Sequence, residues 1–146
     1  LDYLTKLEPA GPTDLTTGVR NFCLRNPGKG ILVIISDLLD KSGYERALRY
    51  LVAQQMDVYV MQVLAAEELK PDLKGDLQLV DCEDDDRAEL TISAPLLKRY
   101  EQTVSAFVSG AREFCARRGM MHLVTSTAQP FEQIITSYLR QRGLVR

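Results

Sequence analysis

Acidic side chains follow the most apolar stretch of the sequence and are its first candidates for chemistry. The aliphatic run 31–35 ends in Ser36 and Asp37, and Asp40 comes three residues later. A continuous run of this kind is typical of a strand buried on both faces of a parallel sheet. Ligands of such sheets bind beyond the carboxyl ends of the strands, where Asp37 would lie. The same carboxylates can instead cap a helix or accept hydrogen bonds within the loop.

A hydroxyl earlier in the chain is the second candidate. Thr13 precedes a helical pattern that starts at Leu15, so it can cap that helix or face Asp37 above the sheet. Hydroxyl and carboxylate oxygens in an octahedral shell suit Mg²⁺ or Mn²⁺. Thr13 and Asp37 are therefore the candidate metal ligands, although a hard cation needs more oxygen ligands than these two residues supply.

Other residues that could carry chemistry lack the neighbours that a catalytic or cofactor site needs. His122 is the only histidine and lies inside a predicted strand, which favours a structural role over catalysis. Cys23, Cys82 and Cys115 are odd in number and widely spaced, which predicts reduced thiols in the cytoplasm. The acidic run 81–86 lacks the glycine and distal glutamate of an EF-hand, so we interpret it as a solvated turn.

Apolar spacing predicts the elements that must position these residues. Strands are predicted where the sequence is continuously apolar, helices where apolar residues recur every three or four positions, and half-exposed strands where they alternate. This gives helices over 13–25, 42–55 and 95–118 and from 131, buried strands over 31–36, 58–64 and 120–126, and a hairpin of two strands around 77–79 and 90–92. We expect a three-layer α/β fold in which a mostly parallel sheet has helices on both faces, together with an antiparallel hairpin.

Length and composition limit the class of protein. The 146 residues suit one domain, and 45% hydrophobic with 26% charged residues is ordinary for a globular protein. A net charge of −2 provides no electrostatic case for binding nucleic acid or an anionic membrane. The longest apolar run is far shorter than the roughly 20 residues of a membrane span. These properties predict a cytoplasmic protein.

Several segments together resemble a known family. They are 11–15 (Gly-Pro-Thr-Asp-Leu), 35–40 (Ile-Ser-Asp-Leu-Leu-Asp), 75–81 (Gly-Asp-Leu-Gln-Leu-Val-Asp), 114–119 (Phe-Cys-Ala-Arg-Arg-Gly) and 138–144 (Tyr-Leu-Arg-Gln-Arg-Gly-Leu). In this combination the chain resembles the bacterial family called domain of unknown function 58, whose domain is similar to the von Willebrand factor A (vWA) domain. The resemblance implies a vWA-like, Rossmann-like fold.

The resemblance also implies a metal-ion-dependent adhesion site. In vWA domains this site combines an Asp-x-Ser-x-Ser loop with a Thr and an Asp, which Thr13 and Asp37 match here. The Asp-x-Ser-x-Ser loop would lie before Leu1, and Ala128-Gln129 stand where an acid is expected. Residues 1–146 are thus expected to be a single vWA-like domain lacking its N-terminal strands. We expect no cofactor in this fragment and Mg²⁺ only in the intact protein.

By the same resemblance, the expected function is a non-enzymatic protein-interaction module that works with a MoxR-type AAA+ ATPase. The alternative is a magnesium-dependent hydrolase using Asp37 and Asp40, and a third reading is a structural domain of a larger assembly. Loss of the strand beside 31–36 would leave a long apolar edge. We therefore expect an oligomer in which copies of this chain associate through the 31–36 edge.

Overall fold

Regular elements alternate along the chain as the apolar pattern predicts. The computed structural model describes residues 2–6, 8, 14–81, 86–134 and 136. After a short 3-10 helix (Leu4–Lys6), the elements are α1 (Leu15–Arg25), β1 (Gly30–Ser36), α2 (Tyr44–Val52), β2 (Met56–Leu64), α3 (Ala66–Leu69), β3 (Gly75–Val80), β4 (Arg87–Ile92), α4 (Ala94–Ala116), β5 (Met121–Ser126) and α5 (Phe131–Gln133). None of the helices in these ranges is both long and apolar enough to cross a membrane.

The three most apolar strands form one parallel sheet in the order β1-β2-β5. Helix α2 makes the crossover between β1 and β2, as expected for a βαβ unit. In register, Val33 of β1 pairs with Tyr59 of β2, and Met61 of β2 pairs with Leu123 of β5. The prediction of an α/β fold with a parallel sheet is confirmed. Strand β2 is central, and β1 lies at one edge.

Strands β3 and β4 form a separate antiparallel pair, which confirms the predicted hairpin. Leu77 pairs with Leu90, and the Thr91 hydroxyl donates a hydrogen bond to Asp76 Oδ1 at 2.7 Å across the two strands. The Asp81 amide donates to the Asp86 carbonyl at 2.8 Å at the end of the hairpin. Residues 82–85 of the acidic turn lie outside the described residues.

Helices α1, α2 and α4 contribute to one hydrophobic core on a single face of the sheet. Ile34, Val58 and Val60 share that face because paired or alternate positions of parallel strands point the same way. They pack with buried residues of all three helices, namely Val19 of α1, Ala47, Leu48 and Leu51 of α2, and Ala111 and Cys115 of α4. This shared burial, rather than intrinsic helix propensity, holds the three helices on the sheet.

One aromatic residue links two of these helices. Tyr44 of α2 contacts Phe107 and Phe114 of α4 edge-to-face, with ring centroids 5.7 and 5.8 Å apart. Aromatic pairs prefer this geometry because the positive ring edge meets the negative face. Tyr44 is also buried, so it fixes α4 beside α2 over the sheet.

The opposite face of β1 departs from the expected three layers. Ile31, Val33 and Ile35 are 68%, 51% and 68% exposed, whereas Ile34 is 8% exposed. The prediction that this strand is buried on both faces was therefore wrong. The run 31–35 is apolar on both faces, but within the described ranges the helices of the core cover only the face that carries Ile34.

Candidate functional site

The loop after β1 places Asp37 at the carboxyl edge of the parallel sheet, as its sequence position predicts. Asp37 is exposed, and its Oδ1 accepts a hydrogen bond from the Leu39 amide at 2.9 Å. The Ser36 hydroxyl accepts one from the Leu38 amide at 3.0 Å. Both contacts span two residues, so side-chain oxygens shape the turn as in Asx and Ser turns. Asp37 thus has a structural contact and an exposed carboxylate at the same time.

Leu38 gives this loop an unusual backbone. Its φ is +65°, which makes it the one non-glycine residue with positive φ within the described ranges. A left-handed conformation costs an L-residue about 1–2 kcal/mol. The Leu38 side chain is 1% exposed and belongs to the hydrophobic core, and this burial offsets the cost. The turn therefore sends Leu38 inward and leaves its neighbour Asp37 at the surface.

Asp40 fastens the end of the loop to α1. Its Oδ2 accepts a hydrogen bond from the Leu15 amide at 2.7 Å, and its Oδ1 accepts from both the amide and the hydroxyl of Ser42 at 2.6 Å. The Ser42 hydroxyl and then the Leu15 amide lower the pKa of Asp40. Both carboxylate oxygens are thus engaged, and an unpaired amide at the helix start is satisfied from 25 residues away.

The start of α1 is capped by a residue other than the one expected. Asp14 is the N-cap, with its Oδ1 accepting from the Thr17 amide at 2.8 Å. Thr17 also lowers the pKa of Asp14. Thr13, the predicted metal ligand and possible cap, lies outside the described residues. The Asp40–Leu15 bond brings the start of α1 to the loop that carries Asp37.

A buried glutamine and a half-buried histidine support the loop from the sheet side. Gln62 of β2 is 0% exposed, and its Nε2 donates to the Asp37 carbonyl at 3.0 Å. Its Oε1 lies 3.1 Å from Nε2 of His122 on β5. Burial, followed by the charge of Arg112, lowers the pKa of His122, which favours the neutral ring. With the amide oriented in this way, His122 Nε2 is the donor.

Sequence reasoning placed His122 in a strand and missed Gln62. The prediction of the strand is confirmed, and His122 contacts a side chain of the core sheet. The signal for Gln62 was present, because it is a single polar residue within the otherwise apolar run 58–64. A polar group at a buried position needs a hydrogen-bond partner. The Gln62 amide has two such partners, the Asp37 carbonyl and the His122 ring, and the first of these bonds fixes the backbone of Asp37 at the end of β1.

The residues that the structure describes do not fit a magnesium site. Asp37 offers an exposed carboxylate, but both oxygens of Asp40 are engaged by protein donors. Among the described residues, no group of three or more His, Cys, Asp or Glu side chains is arranged to hold a metal ion. Magnesium requires near-octahedral oxygen coordination. One exposed carboxylate does not provide it.

A polar cleft of about 390 Å³ lies beside Asp40, between α1 and α2. Acidic side chains from the loop and from the start of α1 line it together with basic side chains from α1, the loop and α2. Its charged lining residues are Asp14, Arg20, Asp40, Lys41 and Arg46. A cleft lined by both acidic and basic side chains is suited to contacts with a protein surface that carries complementary charges. The cleft and the exposed Asp37 together form the candidate site.

Comparison with known proteins identifies the family. The sequence profile of the family described as "Protein of unknown function DUF58" matches residues 1–107, so the chain belongs to this family. The match contains the segments 11–15, 35–40 and 75–81 and ends within α4. Neither the curated proteins nor the solved structures yielded a match to this chain.

Proposed function

We propose that this chain is a vWA-like, Rossmann-like interaction module that binds a protein partner at the carboxyl edge of its parallel sheet and performs no catalysis. The observation that carries this proposal is the divided role of the two loop acids. Asp40 is committed to holding the loop against α1, and Asp37 is presented to solvent by a buried Leu38. Such an edge is where ligands of parallel sheets bind.

The vWA-like assignment is supported by position. Asp37 follows a parallel strand, and the Asp40–Leu15 bond puts the start of the preceding helix at the same edge. This is the relation between the Asp and the Thr in the adhesion site that the resemblance implies. Full metal coordination requires oxygen ligands beyond those described here. The proposed function of this chain therefore uses no cofactor, and Mg²⁺ belongs to the proposal only for a longer protein.

For the partner we propose a MoxR-type AAA+ ATPase of the bacterial cytoplasm. The cleft beside Asp40 supports a protein partner, because its paired charges can be matched by a complementary surface. Salt should weaken binding, because it screens interactions between exposed charges that lie farther apart than the Debye length, which is about 8 Å at physiological ionic strength. The identity of the ATPase comes from the family resemblance alone.

The test measures binding of the purified ATPase to the chain by calorimetry. Asp37→Ala removes the exposed carboxylate and should weaken binding about tenfold, as expected when an interface charge pair is lost. Asp57→Ala is the matched control, because Asp57 is also exposed but lies at the amino end of β2, on the opposite edge of the sheet. Equal affinity for Asp37→Ala and the unchanged chain would refute this binding site.

The competing function is a magnesium-dependent hydrolase that uses Asp37 and Asp40. The bonds of Asp40 disfavour it, because they occupy three of the about four lone-pair sites of the carboxylate and lower its pKa, which makes Asp40 a weaker base. Hydrolysis of phosphate esters with added Mg²⁺ would be assayed for the unchanged chain and for Asp37→Ala. Turnover that depends on both Mg²⁺ and Asp37 would replace the interaction proposal with an enzymatic one.

A further inference from the structure

The acids that line the polar cleft between α1 and α2 are already bound within the chain. Asp14 accepts a hydrogen bond from the Thr17 amide at 2.8 Å. Asp40 accepts from the Leu15 amide at 2.7 Å and from both donors of Ser42 at 2.6 Å. These bonds satisfy the start of α1 and the loop before α2. The two acids of the cleft therefore serve the fold.

The two arginines of the same cleft differ from these acids. Arg20 of α1 and Arg46 of α2 are exposed, and neither forms a hydrogen bond or an ion pair with another residue that the structure describes. The third basic residue of the lining, Lys41, pairs with Asp81 at 3.5 Å. A guanidinium group has five N–H donors and no acceptor. The donors of both arginines are thus available to an anionic ligand.

Helix geometry gives the cleft an acidic end and a part rich in donors. Arg20 follows Leu15 by five residues, so it lies about 7.5 Å along α1 from the helix start that Asp14 caps. On α2, Arg46 and Tyr50 are four residues apart and therefore share one side of the helix. Two guanidinium groups and a phenol hydroxyl thus line the cleft between the helices.

This part of the cleft lies on the outer side of the helix pair. Val19 of α1 and Ala47 of α2 are buried in the core, whereas Arg20 and Arg46, which directly adjoin them in the sequence, are exposed. The residues that line the cleft all lie between positions 14 and 50, and β1 contributes none of them. The cleft is therefore separate from the edge of β1.

The remaining charges favour a carboxylate over a phosphate as the ligand. Hydrogen bonds from Thr17, and more weakly the charge of Arg46, lower the pKa of Asp14, and hydrogen bonds lower that of Asp40. Both acids are thus ionised at neutral pH. They would repel a phosphate group, which carries about two negative charges, more strongly than a singly charged carboxylate. Arginine also binds carboxylates through short, charge-assisted hydrogen bonds.

We propose that Arg20, Arg46 and Tyr50 form an arginine pocket that receives a glutamate or aspartate side chain of the protein partner. The bound carboxylate accepts hydrogen bonds from the two guanidinium groups and from the Tyr50 hydroxyl. This inference rests on the proposed function and adds the chemistry of a second contact. Asp37 then meets a donor of the partner, and the arginine pocket binds an acid of the same partner. Two contacts of opposite charge fix the orientation of the complex.

The first experiment titrates the ¹⁵N-labelled chain with N-acetylglutamate methylamide at constant ionic strength and follows it by NMR. Saturable shifts are expected for the Nε–Hε signals of Arg20 and Arg46. The uncharged glutamine analogue should not cause them. Arg20→Gln and Arg46→Gln should each weaken binding about tenfold, because each removes charged hydrogen-bond donors. Arg25→Gln is the matched control, since Arg25 is exposed at the other end of α1, and it should bind as the unchanged chain does.

The outcomes of this titration decide the chemistry of the pocket. The absence of saturable shifts with the glutamate probe overturns the proposal, and so do equal shifts with the glutamine analogue. Equal weakening by Arg25→Gln overturns it too, because the effect then comes from net charge. A parallel titration with inorganic phosphate should show weaker binding than the glutamate probe. Tighter binding of phosphate overturns the assignment to a carboxylate and indicates a phosphorylated ligand.

The second experiment measures binding of the purified ATPase by calorimetry. Arg20→Gln and Arg46→Gln should each weaken it about tenfold, and Arg25→Gln should leave it unchanged. Arg46→Lys should have an intermediate affinity, because lysine keeps the charge and loses the planar fork of donors. An Arg46→Lys variant as weak as Arg46→Gln is also consistent with the pocket only if the glutamate probe shows the same loss, and a mismatch overturns the assignment.

The two experiments separate this inference from the proposed function. A chain that does not bind the ATPase refutes that partner, whereas the titration with the glutamate probe still decides the arginine pocket. ATPase binding that is weakened by Asp37→Ala and by neither Arg20→Gln nor Arg46→Gln has the opposite meaning. It overturns the arginine pocket and leaves the proposed function in place.

Discussion

Two aspartates three residues apart have different environments and therefore different roles. Asp40 accepts hydrogen bonds on both oxygens and joins the loop to α1, whereas Asp37 uses Oδ1 within the loop and remains exposed. From their spacing in the sequence, both were predicted to be candidate acids of one site. Asp40 holds the loop and Asp37 stays exposed because the fold brings the Leu15 amide to Asp40 and not to Asp37.

Replacing Asp40 with Ala should destabilise the fold. The change removes three hydrogen bonds to a carboxylate and leaves the Leu15 amide without that partner. We expect a loss of roughly 2 kcal/mol in the free energy of unfolding, measured in urea. Asp72→Ala is the control, because the Asp72 side chain is 93% exposed and its ion pair with Lys74, at 3.8 Å, lies at the surface. Equal stability of the two variants would show that Asp40 does not hold the loop.

The contribution of Asp40 should depend on pH. Hydrogen bonds lower the pKa of Asp40 from its ordinary value of 3.8, so the folded state favours the ionised form. The stabilisation is fully present above 3.8 and is lost as pH falls through the lowered folded-state pKa. The stability difference between the unchanged chain and Asp40→Ala should therefore shrink from pH 7 to about pH 3. A difference that stays constant over this interval would contradict the assignment.

At the scale of elements, the parallel sheet and the hairpin differ in how they are held. Alternate residues of strand β2 are buried, namely Val58, Val60, Gln62 and Leu64. In β3 and β4, only Leu77 and Ile92 are half-buried and the other residues are exposed. An isolated two-stranded hairpin is marginal in water. The hairpin is therefore expected to open without unfolding of the sheet.

Hydrogen exchange followed by mass spectrometry should resolve this difference. Peptides from β3 and β4 should take up deuterium faster than peptides from β2, because local opening requires less free energy where fewer apolar contacts break. Peptides from α4, which contributes Ala111 and Cys115 to the core, serve as a protected reference. Equal protection of β2 and the hairpin would show that the hairpin is stabilised by a contact additional to its own strand pairing.

At the scale of the whole molecule, the described helices of the core leave one face of β1 uncovered. Ile31, Val33 and Ile35 would be buried in a three-layer fold, but here they remain exposed beside an open edge. The described hydrophobic core therefore lies on the one face of the sheet that carries Ile34, Val58 and Val60.

The sequence by itself determined the local elements. Strands β1, β2 and β5, helices α1, α2 and α4 and the hairpin appear where apolar spacing predicted them, with ends shifted by a few residues. Such patterns are readable because helix and strand place side chains at periods of 3.6 and 2. The segments of the family resemblance within 1–107 are local as well, and membership in that family is confirmed.

Only the tertiary structure decided what these elements face. The apolar run 31–35 does not encode whether a helix covers each face, so the exposure of Val33 could not be predicted from it. The bond between Asp40 and Leu15 and the one between Gln62 and Asp37 each span 25 residues, so no local pattern reveals them. Burial and long-range hydrogen bonding depend on how elements assemble. They made Asp40 a structural residue and left Asp37 exposed at the edge of the sheet.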